Sequence, residues 1–312
     1  MKYTDNALNI LTAYTYKGIG PAKINSNLKG NDDIKIIYQL VGTHEYEFQK
    51  KKSEIENKIK KLGDSIDGIV AIGDSDFPEI RGQVKSADKP FALFYKGDIS
   101  LLNKKNKNIA VIGVLNPTEK VEKSEIIVTK ELLKHGVNIV SGLALGCDTI
   151  AHKTALENNC KTIAILPSPL NDITPKENVD LANDIVKNGG LLITEYYEKP
   201  KGRNEIITRL VDRDRLQALF SDVVLLAASY APNKLGNDCG SRHAMNKAKD
   251  YGIKRAVIYN EMKHKNESMY DLNRQILSDD KSVFRIDSSN MEDVVRKMIN
   301  NTSSELLTMD FD

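Results

Sequence analysis

The chain has 312 residues with 45 basic and 43 acidic side chains, a formal net charge of +2. Its length allows one large α/β domain and a smaller one around a substantial core, and the near balance of charge excludes a surface that is basic throughout, so any cationic patch must be local. Tryptophan is absent and aromatic residues make up 6%, which excludes a broad stacking platform for bases.

Cys147, Cys160 and Cys239 are widely spaced and odd in number, with no CxxC pair. That pattern argues against a disulfide framework and a zinc site and fits a reducing compartment. The N-terminus lacks a secretory apolar region and no run has the length of a membrane span, so a cytoplasmic protein is expected.

In chain order, Leu8, Leu11 and the Ile10/Tyr14 pair predict a helix over 6–14. Gly18-Ile19-Gly20 then leads into Pro21 and a short helix reaching Leu28, the form of a helix-hairpin-helix. Proline suits a first helical position because it has no N–H to leave unpaired. Such a turn can offer N–H groups to a DNA phosphate or act only as a packing unit. From Glu45 to Leu62 a Lys/Glu-rich segment aligns Phe48, Ile55, Ile59 and Leu62, predicting a linking helix with a solvated charged face. Residues 1–65 are read as a small helical domain.

Strands are expected at Gly68–Ile72 and Phe91–Tyr95, with a turn at Phe77-Pro78-Glu79-Ile80 between them and a polar connector over Lys104–Asn108. Beyond it, apolar strands at Ile109–Gly113, Val137–Ser141, Thr162–Leu166, Leu191–Thr194, Val223–Ala227 and Arg255–Tyr259 alternate with helical patterns. Those patterns fall near 119–134, 148–158, 178–188, 206–219 and 240–251. Alternating units of this kind imply an extended Rossmann-like, mostly parallel sheet with helices on both faces, over about 66–260. After Tyr259 one strand (Val283–Ile286) and one helix (Met291–Ile299) are expected, a short extension over 261–312 without a winged helix.

Ligands on such sheets bind at the carboxyl ends of the strands, near the reversal of strand order. The loops to inspect are therefore 113–118, 141–148, 167–176, 195–205 and 228–241. They contain no GxGxxG, GxxxxGK[ST] or GxSxG motif. Between Val137 and His152 the chain passes from a β-branched run through Ser141, Gly142 and Gly146 to a helix start at Asp148. A small-residue loop before a helix can hold an anion on unpaired N–H groups, or serve close packing alone. Asp148 and His152 share a helix face, yet an internally satisfied histidine is the simpler reading than a general base. Ser141 lacks an evident base, and Glu195 closes a strand where it can cap, pair or touch a ribose. Cations gather on the same loops: Lys176 after Pro175, Arg213 and Arg215 around Asp214 in a stretch that also carries Arg203 and Arg209, and Arg242 after Gly240-Ser241. Converging on one sheet edge, they would grip a phosphodiester chain.

The order of motifs resembles the DNA-processing protein A (DprA, or Smf) family from about Ile69 to Tyr259. The resemblance is carried by Phe77-Pro78-Glu79-Ile80, by Lys89-Pro90-Phe91 through Gly97, by Ile109-Ala110-Val111-Ile112-Gly113, and above all by the stretch from Ser141 to His152, similar to SGxAxGxDxxAH. Pro175-Lys176-Glu177-Asn178 and the Gly189–Glu195 strand follow in the family's order. The resemblance implies a non-catalytic protein that binds single-stranded DNA, dimerises and helps load RecA recombinase during DNA uptake, with no cofactor and no metal. It implies that Lys176 contacts the DNA backbone and that Arg213 and Arg215 stand at the family's Arg-Asn-Arg. Gly240 and Ser241 resemble its Ser-Gly-Ser turn. With Gly113, Ser141, Gly142, Gly146 and Arg242 from the loops, these form the expected phosphate-binding set.

The chain departs from the pattern in three places. Gly113-Val114-Leu115 replaces Gly-Ser-Arg, Asp214 replaces the asparagine, and Ala228 stands where an acid is common. Losing the Gly-Ser-Arg cation and gaining Asp214 would each weaken a phosphate contact by about 1–2 kcal/mol. Two other readings follow: a nucleotide or nucleotide-signal sensor, or a nucleotide-processing enzyme using Asp148, His152 or Glu195.

Overall fold

The computed structural model describes residues 1–28, 30, 33–233 and 240–300; Cys239 and positions 234–239 of the last inspected loop lie outside them. Nine strands form one sheet: β1 (Gly68–Ala71), β2 (Ala92–Gly97), β3 (Asn108–Ile112), β4 (Asn138–Ser141), β5 (Thr162–Ile165), β6 (Leu191–Thr194), β7 (Val223–Leu226), β8 (Lys254–Ile258) and β9 (Phe284–Ile286). Their spatial order is β1-β2-β6-β5-β4-β3-β7-β8-β9. Pairing from β6 to β9 is parallel, while β2 meets both β1 and β6 antiparallel. The central strands are wholly buried in β3, β5, β6 and β7. This burial on both faces explains their unbroken apolar runs in place of an alternation.

The chain winds from β3 outward through β4 and β5 to β6, then returns to place β7 on the opposite side of β3. The register runs Ile109 opposite Val223 to Ile112 opposite Leu226. Strand order therefore reverses between β3 and β7, and a crevice opens above their carboxyl ends.

Twelve helices accompany the sheet among the described residues: α1 (Asp5–Tyr14), α2 (Pro21–Asn27), α3 (Ile34–Val41), α4 (Glu45–Lys60), α5 (Glu119–Leu133), α6 (Cys147–Glu157), α7 (Val179–Lys187), α8 (Arg203–Leu219), α9 (Ser241–Asp250), α10 (Glu261–His264), α11 (Asp271–Asp279) and α12 (Met291–Asn300). Thr4 caps α1 by accepting the Ala7 N–H, and Pro21 opens α2. The four N-terminal helices share a core with the antiparallel end of the sheet, where Leu11, Phe48 and Ile59 join Ile69 and Phe94. The Tyr14 ring lies 4.7 Å from that of Phe91.

The C-terminal part holds more than one strand and one helix. α10 and α11 precede β9, and β9 extends the sheet in parallel with β8. α11 is latched by one buried side chain: the Asn273 amide donates to the carbonyls of Leu226, Ala227 and Ile258, and its oxygen accepts the Ser229 N–H. With only Leu272, Asn273 and Ile276 buried along α11, the helix has too few apolar positions to show a period in sequence. No described helix is long and apolar enough to cross a membrane.

Candidate nucleic-acid interface

The crevice at the β3/β7 reversal has a volume of about 550 Å³. Two glycines bring its parts together. A Cβ on Gly113 would lie 2.5 Å from Cys147 Sγ, and one on Gly146, held at φ +73°, would lie 2.4 Å from the Val114 and Leu115 carbonyl oxygens. Both positions must be bare for the first turn of α6 to seat against the end of β3. Cys147 N then donates to the Val114 carbonyl.

The loop before α6 carries its own anion. Gly142 N and Ala144 N donate to Asp148 Oδ2 at 3.0 and 3.2 Å, and Ser141 Oγ donates to the Val111 carbonyl at 2.7 Å. The N–H groups expected to face a phosphate at Ser141, Gly142 and Gly146 thus serve, at Gly142 and Ala144, a carboxylate of the chain itself. A first-turn acid is the natural occupant, since the helix N-terminus favours negative charge. Arg213 lies against this arrangement: its Nη1 donates to the Gly142 carbonyl at 2.8 Å and sits 3.5 Å from Asp148 Oδ2, while Nε is 3.0 Å from Asp214 Oδ1. Gly142 is required here too, because a Cβ would fall 1.6 Å from Arg213 Nη1.

One guanidinium thus stands between two carboxylates, all nearly out of solvent: Arg213 is 9%, Asp148 6% and Asp214 3% exposed. Burial raises the Asp148 carboxyl, against the pull of Arg213 and of its N–H donors. Burial also pushes Asp214 up to about 7, with Arg213 pulling down and Asp148 pushing up. With all three groups charged, the crevice floor is negative by one unit.

The expected single row of phosphate-gripping cations is corrected by helix geometry. Residues two apart on a helix point some 200° apart, so Arg213 and Arg215 leave α8 on opposite flanks. Leu210, Arg213, Asp214 and Gln217 face the crevice. Glu205, Arg209, Asp212 and Arg215 face a second cleft, of about 290 Å³, beside the N-terminal helices. Arg215 is 8% exposed, 2.5 Å from Glu195 Oε2, and donates to the Asp88 carbonyl at 2.7 Å. Arg209 stacks on the Tyr196 ring at 4.0 Å and pairs with Glu205. Lys176 lines neither cleft; it is exposed, 2.7 Å from Asp172, which Lys199 also approaches at 3.1 Å. Arg242 sits in the first turn of α9, already with an interaction of its own. Gly240 and Ser241 do reach the crevice, where Ser241 Oγ donates to the Gly113 carbonyl at 3.0 Å.

Of the residues weighed for catalysis, Ser141 and His152 are fully buried, while Asp148 and Glu195 each border a cleft beside an arginine. Thr162 Oγ1 donates to the Ile139 carbonyl, so at 2.7 Å it accepts from His152 Nδ1–H, and burial drives that imidazole down to about 3. His152 therefore does not pair with Asp148. Glu195 is closed in against Arg215, and burial raises its carboxyl. Among the described residues no group of three or more His, Cys, Asp or Glu side chains is placed to hold a metal. Sequence reasoning overlooked Asp172 as the anchor of two lysines. Neither partnership had a visible signal: Asp172 and Lys176 are four apart but share no helix, without which that spacing does not make neighbours, and Lys199 is remote in sequence.

Residues 68–284 match the family described as DNA recombination-mediator protein A. The protein Smf of Borreliella burgdorferi is 33% identical over 175 residues, covering 54% of this chain and 51% of that protein. The DNA processing protein DprA of Streptococcus pneumoniae is 40% identical over 130 residues, covering 39% of this chain and 45% of that protein. The chain thus spans about half the length of these relatives, or less. Among solved structures, DprA of Streptococcus pneumoniae superposes with a TM-score of 0.69 at 23% identity, over 95% of this chain and 98% of that one. A Helicobacter pylori DNA processing protein A, described for its single-stranded DNA binding mode, gives a TM-score of 0.56 at 28% identity, over 68% and 88%.

Proposed function

Because the chain belongs to the DNA recombination-mediator protein A family, we propose that it binds single-stranded DNA along the carboxyl edge of its sheet and acts in DNA uptake or recombination without cutting the strand. The observation that carries this reading is the seating of the Ser141–His152 motif at the β3/β7 reversal, where it forms one wall of an open crevice. A non-catalytic role is supported by the burial of Ser141 and His152 behind their own partners and by the pairing of Glu195 with Arg215. Assembly as a homodimer and assistance to RecA loading belong to the same proposal, on the strength of the family.

The direct test is fluorescence anisotropy with labelled single-stranded and duplex oligonucleotides of equal length, at about 50 and about 200 mM salt. Preference for the single strand, tightening as salt falls, is the expected result. Absence of binding at the lower salt removes the reading, since phosphate contacts strengthen when counterions are dilute. A second reading, a small-nucleotide sensor, is favoured by the crevice volume, which lies in the range of small-ligand pockets, about 300–1,000 Å³. A saturable rise in melting temperature with mononucleotides alone, without strand binding, would select it.

A further inference from the structure

The second cleft, on the flank of α8 away from the crevice, is built from aromatic rings and carboxylates. One wall carries Tyr14, Phe91, Tyr196 and Tyr197, with Leu11, Pro21 and Ala87 beside them. Tyr14 ends α1 and is still 45% exposed, although its ring packs on Phe91. The cleft already shows what such rings attract, since the Arg209 guanidinium lies 4.0 Å from the Tyr196 centroid.

Charge on the facing wall is paired at every acid but one. Asp88, Glu195, Glu198 and Glu205 have Lys247, Arg215, Lys58 and Arg209 respectively. Asp212 has no cation among the described residues. Its Oδ2 accepts from the Tyr196 hydroxyl at 2.8 Å, and its Oδ1 carries no hydrogen bond there. The neighbouring arginines are spent, Arg209 on Glu205 and the Glu198 carbonyl, Arg215 on Glu195 and the Asp88 carbonyl. Of the two lysines lining the cleft, Lys199 pairs with Asp172 and Lys201 is exposed. The Tyr14 hydroxyl is raised first by burial and then by Glu195 and Asp212, which places that ring within electrostatic reach of the spare acid.

We propose that this cleft binds an alkylguanidinium group, with the cation at Asp212 and the stem along the rings. A carboxylate oxygen without a donor takes a guanidinium N–H, and tyrosine faces attract the same cation. Leu11, Pro21 and Ala87 suit the methylenes, which bury on apolar surface while the head stays among polar groups. The spare acid repels a phosphate. The volume of about 290 Å³ lies at the lower limit of small-ligand pockets, about 300 Å³, and suits a group of this size. Its source is either a free small molecule or an arginine of a protein partner.

The test is isothermal titration calorimetry on the full chain with three probes. These are agmatine, an acetylated and amidated Gly-Arg-Gly peptide, and the same peptide with citrulline, the neutral isostere. Saturable binding of the cations is expected, with citrulline weaker than arginine by about tenfold. A peptide tighter than agmatine marks a partner's arginine as the source, and the reverse order marks a free molecule. Asp212→Asn keeps an acceptor for the Tyr196 hydroxyl and should weaken agmatine by about tenfold. Tyr14→Leu should weaken it by about threefold. Both variants should bind single strands as the parent does. Equal binding of the arginine and citrulline peptides, or no saturable heat from any probe, overturns the inference. So does an Asp212→Asn protein that takes agmatine with parental affinity. The citrulline comparison needs no variant, so it decides the matter even if a substituted chain fails to fold. Strand anisotropy is a separate readout: its failure in the parent removes the single-strand reading and leaves this one standing.

Discussion

The two flanks of α8 carry similar residues and do different things. Toward the N-terminal helices each cation has an acid of its own: Arg215 has Glu195, and Arg209 has Glu205 together with the Glu198 carbonyl, while Asp212 accepts from the Tyr196 hydroxyl. Toward the crevice one cation is shared, because Arg213 stands alone between Asp148 and Asp214. A closed, balanced pair fastens elements together, whereas an unbalanced group beside open space leaves capacity for a ligand. The tripeptide Arg213-Asp214-Arg215 therefore contributes one member to a joint and two to a site.

Breaking the joint should have the largest effect. Arg215→Met leaves Glu195 buried without its cation, a loss of about 3–5 kcal/mol in urea unfolding. Adding Glu195→Gln should restore most of it, because the uncompensated charge, not the missing contact, is the main cost. A single variant that unfolds within about 1 kcal/mol of the parent would show that the flank is no joint.

The next effect concerns the unbalanced flank and is set by pH. Asp214 titrates near 7 in the folded chain and from an ordinary value of 3.8 when unfolded. Between those values the folded state holds a proton that the unfolded state has released. This group's contribution to stability is therefore full below about 4 and is lost as pH rises through about 7. Asp214→Asn removes the dependence. Thermal melts should show the variant stabilised relative to the parent at pH 8, by about 2–3 kcal/mol after allowing for relaxation around the buried charge. The advantage should fade steadily toward pH 4. A difference independent of pH would mean that Asp214 stays ionised throughout, held by Arg213.

The two flanks were not equally legible in sequence. The strands were, because burial on both faces writes them as apolar runs, and observed limits differ from the expected ones by about a residue. The glycines at 113, 142 and 146 were legible as sites of close approach, though not what approaches them: Cys147, Arg213 and the Val114–Leu115 carbonyls come from elsewhere in the chain. The splitting of Arg213 from Arg215 was already implied by the helix expected over 206–219, since residues two apart leave a helix on opposite flanks; what each flank meets was not. The pairing of Arg213 with Asp148 depends on how the first turn of α6 and α8 meet, which no local pattern encodes. α3 left little trace for a similar reason, since it buries only Ile37.

The smallest effect tests whether phosphates are gripped outside the crevice. Lys176 and Lys199 are both exposed and share Asp172, so replacing either with glutamine leaves the acid paired with the other. Stability should therefore change by no more than about 0.5 kcal/mol, as for most surface positions. Each lysine that touches a phosphate releases a counterion on binding. Its removal should lower the slope of log affinity against log salt by about 0.7 for a single strand. The loss should be uniform across base sequences, because a phosphate contact carries no base information. If the lysine variants leave the salt slope unchanged, the backbone takes another course, and Asp172 and its two lysines form a surface ion cluster with no part in binding.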